Sequence, residues 1–386
     1  IFGHFGDRVG RKKTLIASLL IMGIGTFLIG LLPTASTPGW VVLAPLFLVL
    51  LRFAQGVGLG GEWSGAALLA TENAPKGKRA IWGTFPQLGA PVGFILANLL
   101  FVGLNSWLSP EAFLAWGWRI PFLLSALLVA VGLYVRLSLM ETPAFQLVEQ
   151  RQQISRAPIG RVFTGSWLPL LLGTFIMLAT YVIFYFMTAF TLTYGTSPAT
   201  VEQAETAAEA AGKPFDPAGF VAGLGYEKNE FLTYLIIGVV FFGIFTVVSG
   251  PLAEKLGRRK MLMGVTVLIA VYGLAVNVLF NAGTVGVVAA LIIGFTLMGL
   301  TFGPMAAYLP ELFPANVRYT GSAVSYNMAS VIGAGPAPFA MVALWQAEGG
   351  TIFWCGLYIV AAAFLTFVAL YFAKETADLD IEAELS

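Results

Sequence analysis

Arg52 and Glu62 both stand inside one long apolar stretch of the sequence. A charge at the centre of a bilayer costs roughly 2.5–3.5 kcal/mol even on permissive insertion scales, so such a residue faces a water-filled cavity or a partner. A helix rises about 1.5 Å per residue, which places these two about 15 Å apart along the axis and argues against a direct pair. The planar guanidinium fork of Arg52 matches a carboxylate, making it a candidate counter-ion for an anionic substrate. The alternatives are a packing charge or a modulator of a proton site elsewhere. Glu62 is a candidate proton carrier, because a carboxyl in a low-dielectric cavity has its charged form disfavoured and can cycle near neutral pH. The alternative is a hydrogen-bonded carboxyl that ties neighbouring helices together. Gln55 lies two turns before Glu62, so Arg52, Gln55, Leu59 and Glu62 form one partly polar stripe. Gln87, Asn98, Tyr181, Tyr185, Tyr308 and Asn327 are further cavity candidates, each equally able to act as packing glue. Arg119 is expected to anchor the mouth of a helix, and His4 to be solvated in a loop.

The elements that must position these residues are membrane spans. Of 386 residues, 58% are hydrophobic and only 11% charged, whereas a soluble domain carries about a quarter charged. Crossing a hydrocarbon core takes roughly 20 helical residues. Ten stretches qualify, near 13–32, 41–72, 80–103, 117–140, 166–195, 229–253, 261–281, 285–310, 319–345 and 351–373. Seventeen of the 21 Lys and Arg fall on alternate connections on one side, among them Arg8, Arg11, Lys12, Lys13, Arg136, Arg151, Arg156 and Arg161. By the positive-inside bias that side is cytoplasmic, together with the 141–165 loop and the 374–386 tail. The 196–228 segment is then external, with an Ala/Glu run that suits a short surface helix. A single histidine and a single cysteine exclude a His/Cys metal cluster and an intrachain disulfide. A net charge of +1 gives no reason to expect a nucleic-acid partner. No nucleophile–base constellation or P-loop is present, so an enzyme is not expected, and no cofactor is implied.

The chain repeats itself. Segment 3–13 reads GHFGDRVGRKK and segment 250–260 reads GPLAEKLGRRK, aligning Gly3 with Gly250, Asp7 with Glu254, Gly10 with Gly257 and Arg11 with Arg258. Each segment directly precedes a span. Two spans later, ENAPKGKR (Glu72 to Arg79) answers ELFPANVR (Glu311 to Arg318). Glu141-Thr142 and Glu375-Thr376 close the two halves. The order and spacing imply two parallel structural halves, a known transporter layout. The expected division is an N-terminal half 1–140, a central loop 141–165, a C-terminal half 166–373 and a tail 374–386. In the second half two spans precede the Gly/Arg segment, and in the first none does. Two further spans are therefore expected ahead of Ile1, twelve in all.

The loop G-x-x-x-D-R-x-G-R-K, repeated in each half, resembles the signature loop of the major facilitator superfamily. R-F-x-Q-G-x-x-x-G-G-E at 52–62, W-R-I-P-F at 118–122 and E-T-P-A-F at 141–145 resemble its metabolite:proton symporter branch. The resemblance implies an all-α polytopic membrane protein with the major facilitator fold, two pseudo-symmetric six-helix halves with ten of twelve spans visible, numbered 3 to 12. It implies alternating access, with the proton as coupling ion and a small organic acid or zwitterion as substrate. It also implies a monomer in the bacterial inner membrane. Gly3, Asp7, Arg8, Gly10, Arg11, Glu72, Arg79, Gly250, Glu254, Gly257, Arg258, Glu311 and Arg318 are then gating residues. Asp7 is expected at the N-terminus of span 11, Arg11 beside Glu72 and Arg258 beside Glu311. Glu254-Lys255 departs from the Asp-Arg of the signature, which points to weaker contacts in that copy. Gly89-Ala90-Pro91-Val92-Gly93 faintly resembles an exporter signature, leaving proton-driven efflux as an alternative. A non-transporting sensor is a further one, disfavoured by the short loop and tail.

Overall fold

The computed structural model describes residues 2–138, 141–150 and 157–379. Arg151 and Arg156 of the central segment and 380–386 of the tail lie outside the described residues. In chain order the helices are α1 (Phe2–Val9), α2 (Arg11–Leu31), α3 (Leu43–Glu72), α4 (Arg79–Gln87), α5 (Gly89–Trp107), α6 (Pro110–Ala115), α7 (Ile120–Ser138), α8 (Pro143–Gln150) and α9 (Pro158–Gly165). They continue as α10 (Trp167–Tyr185), α11 (Thr191–Thr196), α12 (Val201–Ala210), α13 (Lys228–Leu256), α14 (Arg258–Phe280), α15 (Gly283–Glu311), α16 (Arg318–Ala329), α17 (Ala337–Ala347) and α18 (Phe353–Phe372). No β-strand occurs among the described residues. Among the described residues, ten continuous or broken helices are long and apolar enough to cross a membrane, each within a few residues of a stretch read from the sequence.

Two of the breaks within spans lie at prolines. The third span is cut at Leu88 between α4 and α5, where Pro91 supplies no N–H for the carbonyl of Gln87. Phe186–Phe190 forms a π-helical segment between α10 and α11. A second one, Ser330–Ala334, joins α16 to α17 just ahead of Pro336 and Pro338, which supply no N–H groups to the preceding turn.

Two segments read as loops are helical. The Gly-rich run holding His4 forms α1, because its face of Phe2, Gly3, Gly6 and Asp7 is buried and tertiary packing outweighs glycine's poor propensity. A Cβ on Gly6 would meet the Tyr319 ring, so α1 can lie against α16 only with glycine there. In the central segment, Thr142 accepts the N–H of Phe145 and Pro143 opens α8, while Pro158 opens α9. Ala144 and Phe145 are buried, the latter under the Arg11 guanidinium 4.9 Å from its ring centroid. Val162 of α9 packs into a cluster with Leu170, Phe313 and Val317. The Ala/Glu run beyond the fifth span is α12, with Thr200 accepting the N–H of Gln203.

The chain divides into two compact units. One comprises the described residues of Ile1–Leu170, Ala306–Ser325 and Thr376–Ser386; the other comprises Leu171–Met305 and Tyr326–Glu375. In the first unit, α2 packs along α3 and α7, and Leu68, Tyr319 and Ala323 form a buried cluster. In the second, α14 packs along α18, and Phe186, Phe190, Tyr194, Phe280 and Trp345 stack or meet edge to face. Large apolar side chains such as Leu127, Leu128, Val278 and Phe339 remain exposed, which suits a lipid-facing surface.

Candidate functional site

The polar stripe on α3 resolves into two separate devices. Near its start, Arg52 donates from Nη1 to Gln55 Oε1 at 3.3 Å, and Gln55 Nε2 donates to Thr26 Oγ1 at 2.6 Å. Thr26 in turn donates to the carbonyl of Met22 at 2.8 Å on its own helix. The relay holds the guanidinium through a neutral amide. Among the described residues, no carboxylate is in ion-pair contact with Arg52.

Ten residues along, Glu62 is already neutralised. Arg136 of α7 donates to both its oxygens, from Nη1 to Oε2 at 3.3 Å and from Nη2 to Oε1, and Ser18 of α2 donates to Oε2 at 2.7 Å. Arg136 Nη1 also reaches the carbonyl of Leu15 at 2.7 Å. Both charged side chains are 17% exposed, so this is a largely buried pair that ties α2, α3 and α7. The sequence placed Arg136 with the loop charges. The signal that it belongs to the site is that it falls inside the apolar stretch 117–140.

A charge cluster forms at the basic end of the first unit. Asp7 accepts the backbone N–H groups of Tyr319 and Thr320 at 3.3 and 2.8 Å and the Thr320 hydroxyl at 2.7 Å. It thereby caps the N-terminus of α16, where free N–H groups and the helix dipole favour an anion. Burial pushes the Asp7 carboxyl up to about 6, against the opposing pull of Arg11 and these hydrogen bonds. Arg11 lies 3.6 Å from Asp7 and 3.5 Å from Glu72, and Arg318 lies 4.0 Å from Glu72. Sequence reasoning paired Arg11 with Glu72 but missed Arg318, which belongs to the other half of the repeat. Tyr319 donates to the carbonyl of Gly61 at 2.6 Å, one residue from Glu62.

The two Glu-Thr motifs have matching roles. Glu141 accepts the N–H of Arg11 at 3.0 Å and of Lys12 at 3.2 Å. In the second unit, Glu375 accepts the N–H of Arg258 at 2.9 Å and of Arg259 at 3.1 Å. Gly10 and Gly257 precede these helices with φ of 113° and 88°, a region closed to most side chains. Arg258 pairs with Glu254 one turn earlier at 3.2 Å.

Most of the remaining candidates make structural contacts. Gln87 is buried and accepts from Trp63 Nε1 at 2.8 Å; Asn98 donates to Phe94 of its own helix at 2.8 Å. Tyr308 is fully buried and Asn327 exposed. Tyr181 meets Tyr326 edge to face at 5.3 Å, and Tyr185 meets Phe184 at 5.3 Å. Arg119 donates to the carbonyls of Gly30 and Leu32 at 3.2 and 2.5 Å, closing the open end of α2, and lies over Trp118. His4 lies 3.4 Å from Arg8 on the same helix, and burial with the Arg8 charge lowers its basicity. An apolar cavity of about 300 Å³ lined by Ile29, Leu48 and Trp118 offers no polar chemistry. No group of His, Cys, Asp and Glu among the described residues could hold a metal ion.

The sequence matches the family model of the Major Facilitator Superfamily over residues 1–338. The chain belongs to that superfamily. It is 50% identical over 378 residues to the inner membrane metabolite transport protein YhjE of Escherichia coli K12, covering 97% of this chain and 80% of that protein. It is 33% identical to the glycine betaine/proline/ectoine/pipecolic acid transporter OusA of Dickeya dadantii, covering 98% of this chain and 72% of the relative. It is 32% identical to the shikimate transporter of Escherichia coli K12, covering 97% and 81%. The proton:xylose symporter XylE, solved with 6-bromo-6-deoxy-D-glucose, has the same fold with a TM-score of 0.76 at 16% identity, covering 99% of this chain and 84% of that one. The major facilitator fold is two six-helix halves, and this member is a multi-pass membrane transporter of metabolites rather than an enzyme.

Proposed function

We propose that this transporter takes up a small organic acid or zwitterion together with protons, by alternating access, with Arg52 as the seat of the substrate carboxylate. The observation that carries the reading is the free guanidinium of Arg52, held by Gln55 in a membrane span with no acidic partner in contact among the described residues. An arginine in that setting favours a planar anion that fills its fork. Shikimate, glycine betaine and proline, named for two relatives, all carry a carboxylate. Proton coupling is assigned to Glu62, where a proton would replace the Arg136 ion pair. The basic side is taken as cytoplasmic by the positive-inside bias, which puts the central segment and the tail inside the cell. The contact of Asp7 with α16 then closes the path on that side. Residues 1–140 and 166–373 are read as the two halves, joined by 141–165, and the protein as a monomer.

The test is uptake by the full-length protein in proteoliposomes under an inward proton gradient, with a panel of small carboxylates, zwitterions and uncharged analogues. Gradient-driven uptake restricted to carboxylates, and lost in Arg52→Gln, is the expected result. Equal uptake of uncharged analogues, or an Arg52→Gln variant that transports like wild type, would sink the assignment.

A further inference from the structure

The internal repeat makes a demand that the structure meets in only one of its two copies. Glu72 and Arg79 correspond to Glu311 and Arg318. Arg318 reaches across the repeat to Glu72, at 4.0 Å, beside Arg11. The counterpart would join Arg79, the first residue of α4, to Glu311, the last of α15. Both ends of that counterpart are occupied by the segment after the last span. The Thr376 hydroxyl donates to Glu311 Oε2 at 2.5 Å, and Arg79 Nη1 donates to the carbonyl of Leu379 at 2.6 Å. The segment between is a tight turn, closed by the N–H of Leu379 on the carbonyl of Thr376 at 3.1 Å. Thr376 is buried at 4% exposure and Glu311 at 7%, so the turn is seated rather than draped on the surface. The first-half Glu-Thr motif does something else, since Thr142 caps α8. One copy of the motif therefore continues into a helix, and the other into a turn fitted to two charged residues.

We infer that residues 376–379 are a latch, which holds the ends of α4 and α15 together on the basic side and must leave Glu311 and Arg79 before that side can open. Its geometry suits the task. A hydroxyl on a carboxylate and a guanidinium on a carbonyl are charge-assisted contacts, each worth a few kcal/mol at most, so release is within reach of a conformational change. The latch rests on the reading that the contact of Asp7 with α16 closes this side.

The experiment uses the full-length protein in detergent with Cys355→Ala, which removes the single cysteine, and Ser322→Cys as the probe. Ser322 is fully buried on α16, two residues beyond the N–H groups and hydroxyl of Tyr319 and Thr320 that Asp7 accepts, and its hydroxyl bonds only within that helix. The rate of alkylation by N-ethylmaleimide then reports opening. A chain ended after Glu375 keeps the cap on α14 and loses the latch. It is expected to react roughly tenfold faster, the scale of one lost charge-assisted hydrogen bond. Thr376→Val and Arg79→Gln should accelerate in the same direction, and Thr376→Ser, which keeps the hydroxyl, should restore the original rate. If the shortened chain fails to fold, the point variants decide. Unchanged rates in Thr376→Val and Arg79→Gln overturn the latch. Asp7→Asn separates the two readings: acceleration there without any in the latch variants leaves closure standing and removes the latch, whereas no acceleration there overturns closure and the latch with it.

Discussion

Glu141 receives the backbone N–H of Arg11 at 3.0 Å, across 130 residues of chain. It satisfies the open end of α2, where Gly10 has no side chain to offer. Glu375 does the same for α14. Removing a helix cap costs about 0.5–2 kcal/mol. Glu141→Ala and Glu375→Ala should each lower stability by about that amount, read as a fall in melting temperature of the purified protein. Gly10→Ala should do more harm than Glu141→Ala, since it combines a φ of 113° with a Cβ that would overlap the Glu141 carboxylate. A Gly10→Ala protein as stable as wild type would show that the capping geometry is not what holds α2.

The Glu62–Arg136 pair calls for a double-mutant cycle. Breaking a buried pair by removing one partner costs about 3–5 kcal/mol, because the other charge is left uncompensated, whereas replacing both by apolar groups is often neutral. Glu62→Leu and Arg136→Leu should each destabilise strongly, and Glu62→Leu/Arg136→Leu should be more stable than either. The same double variant separates structure from coupling. If it folds and exchanges substrate but no longer follows the proton gradient, the pair is the coupling site. If gradient-driven uptake survives, the pair is a helix tie.

Much of this was legible in the sequence, and the reasons are physical. Spans follow from hydrophobic length, which is a property of the chain alone. The capping role of Asp7 and the closeness of Arg11 to Glu72 were implied by the resemblance of the Gly/Arg loop to the signature of the superfamily. Arg136 and Arg318 were harder to see. Both stand at helix ends on the basic side, where positive charge already has a topological explanation, and only the place of Arg136 inside the apolar stretch 117–140 set it apart from a solvated charge. The helices α1, α8 and α9 were missed for a related reason. Glycine and proline in short polar segments read as loop, and only burial of Gly6, Phe145 and Val162 against partners distant in sequence makes them helical.

The buried Asp7 carries a pH signature. Its folded pKa of about 6 lies above the ordinary carboxylate value near 3.9. The folded state therefore holds the proton more tightly than the unfolded chain does. The ionised form costs stability above about pH 6, and that cost fades as the pH falls from 6 toward 4. A shift of two units corresponds to on the order of 2–3 kcal/mol. The difference in stability between wild type and Asp7→Asn should accordingly move in favour of wild type as the pH is lowered from 7 to 5. A difference that stays flat over that range would mean that Asp7 is not desolvated in the folded protein.

Arg52 can be tested by giving it an internal rival for the substrate. Gln55 already lies against its guanidinium, with Oε1 3.3 Å from Nη1. Gln55→Glu changes one atom and supplies a carboxylate one turn away, the spacing at which oppositely charged side chains on a helix meet. If Arg52 seats the substrate's carboxylate, this Glu occupies the seat. Exchange of a carboxylate substrate should then fall at least about tenfold, the effect of 1.4 kcal/mol, with the Glu62–Arg136 pair ten residues along untouched. Gln55→Leu removes the amide without adding a charge, so it should weaken orientation and raise KM while leaving the seat vacant. The contrast between the two variants is the measurement. Equal losses would assign the effect to the broken relay with Thr26, whereas a loss confined to the Glu variant would place the substrate's negative charge at Arg52.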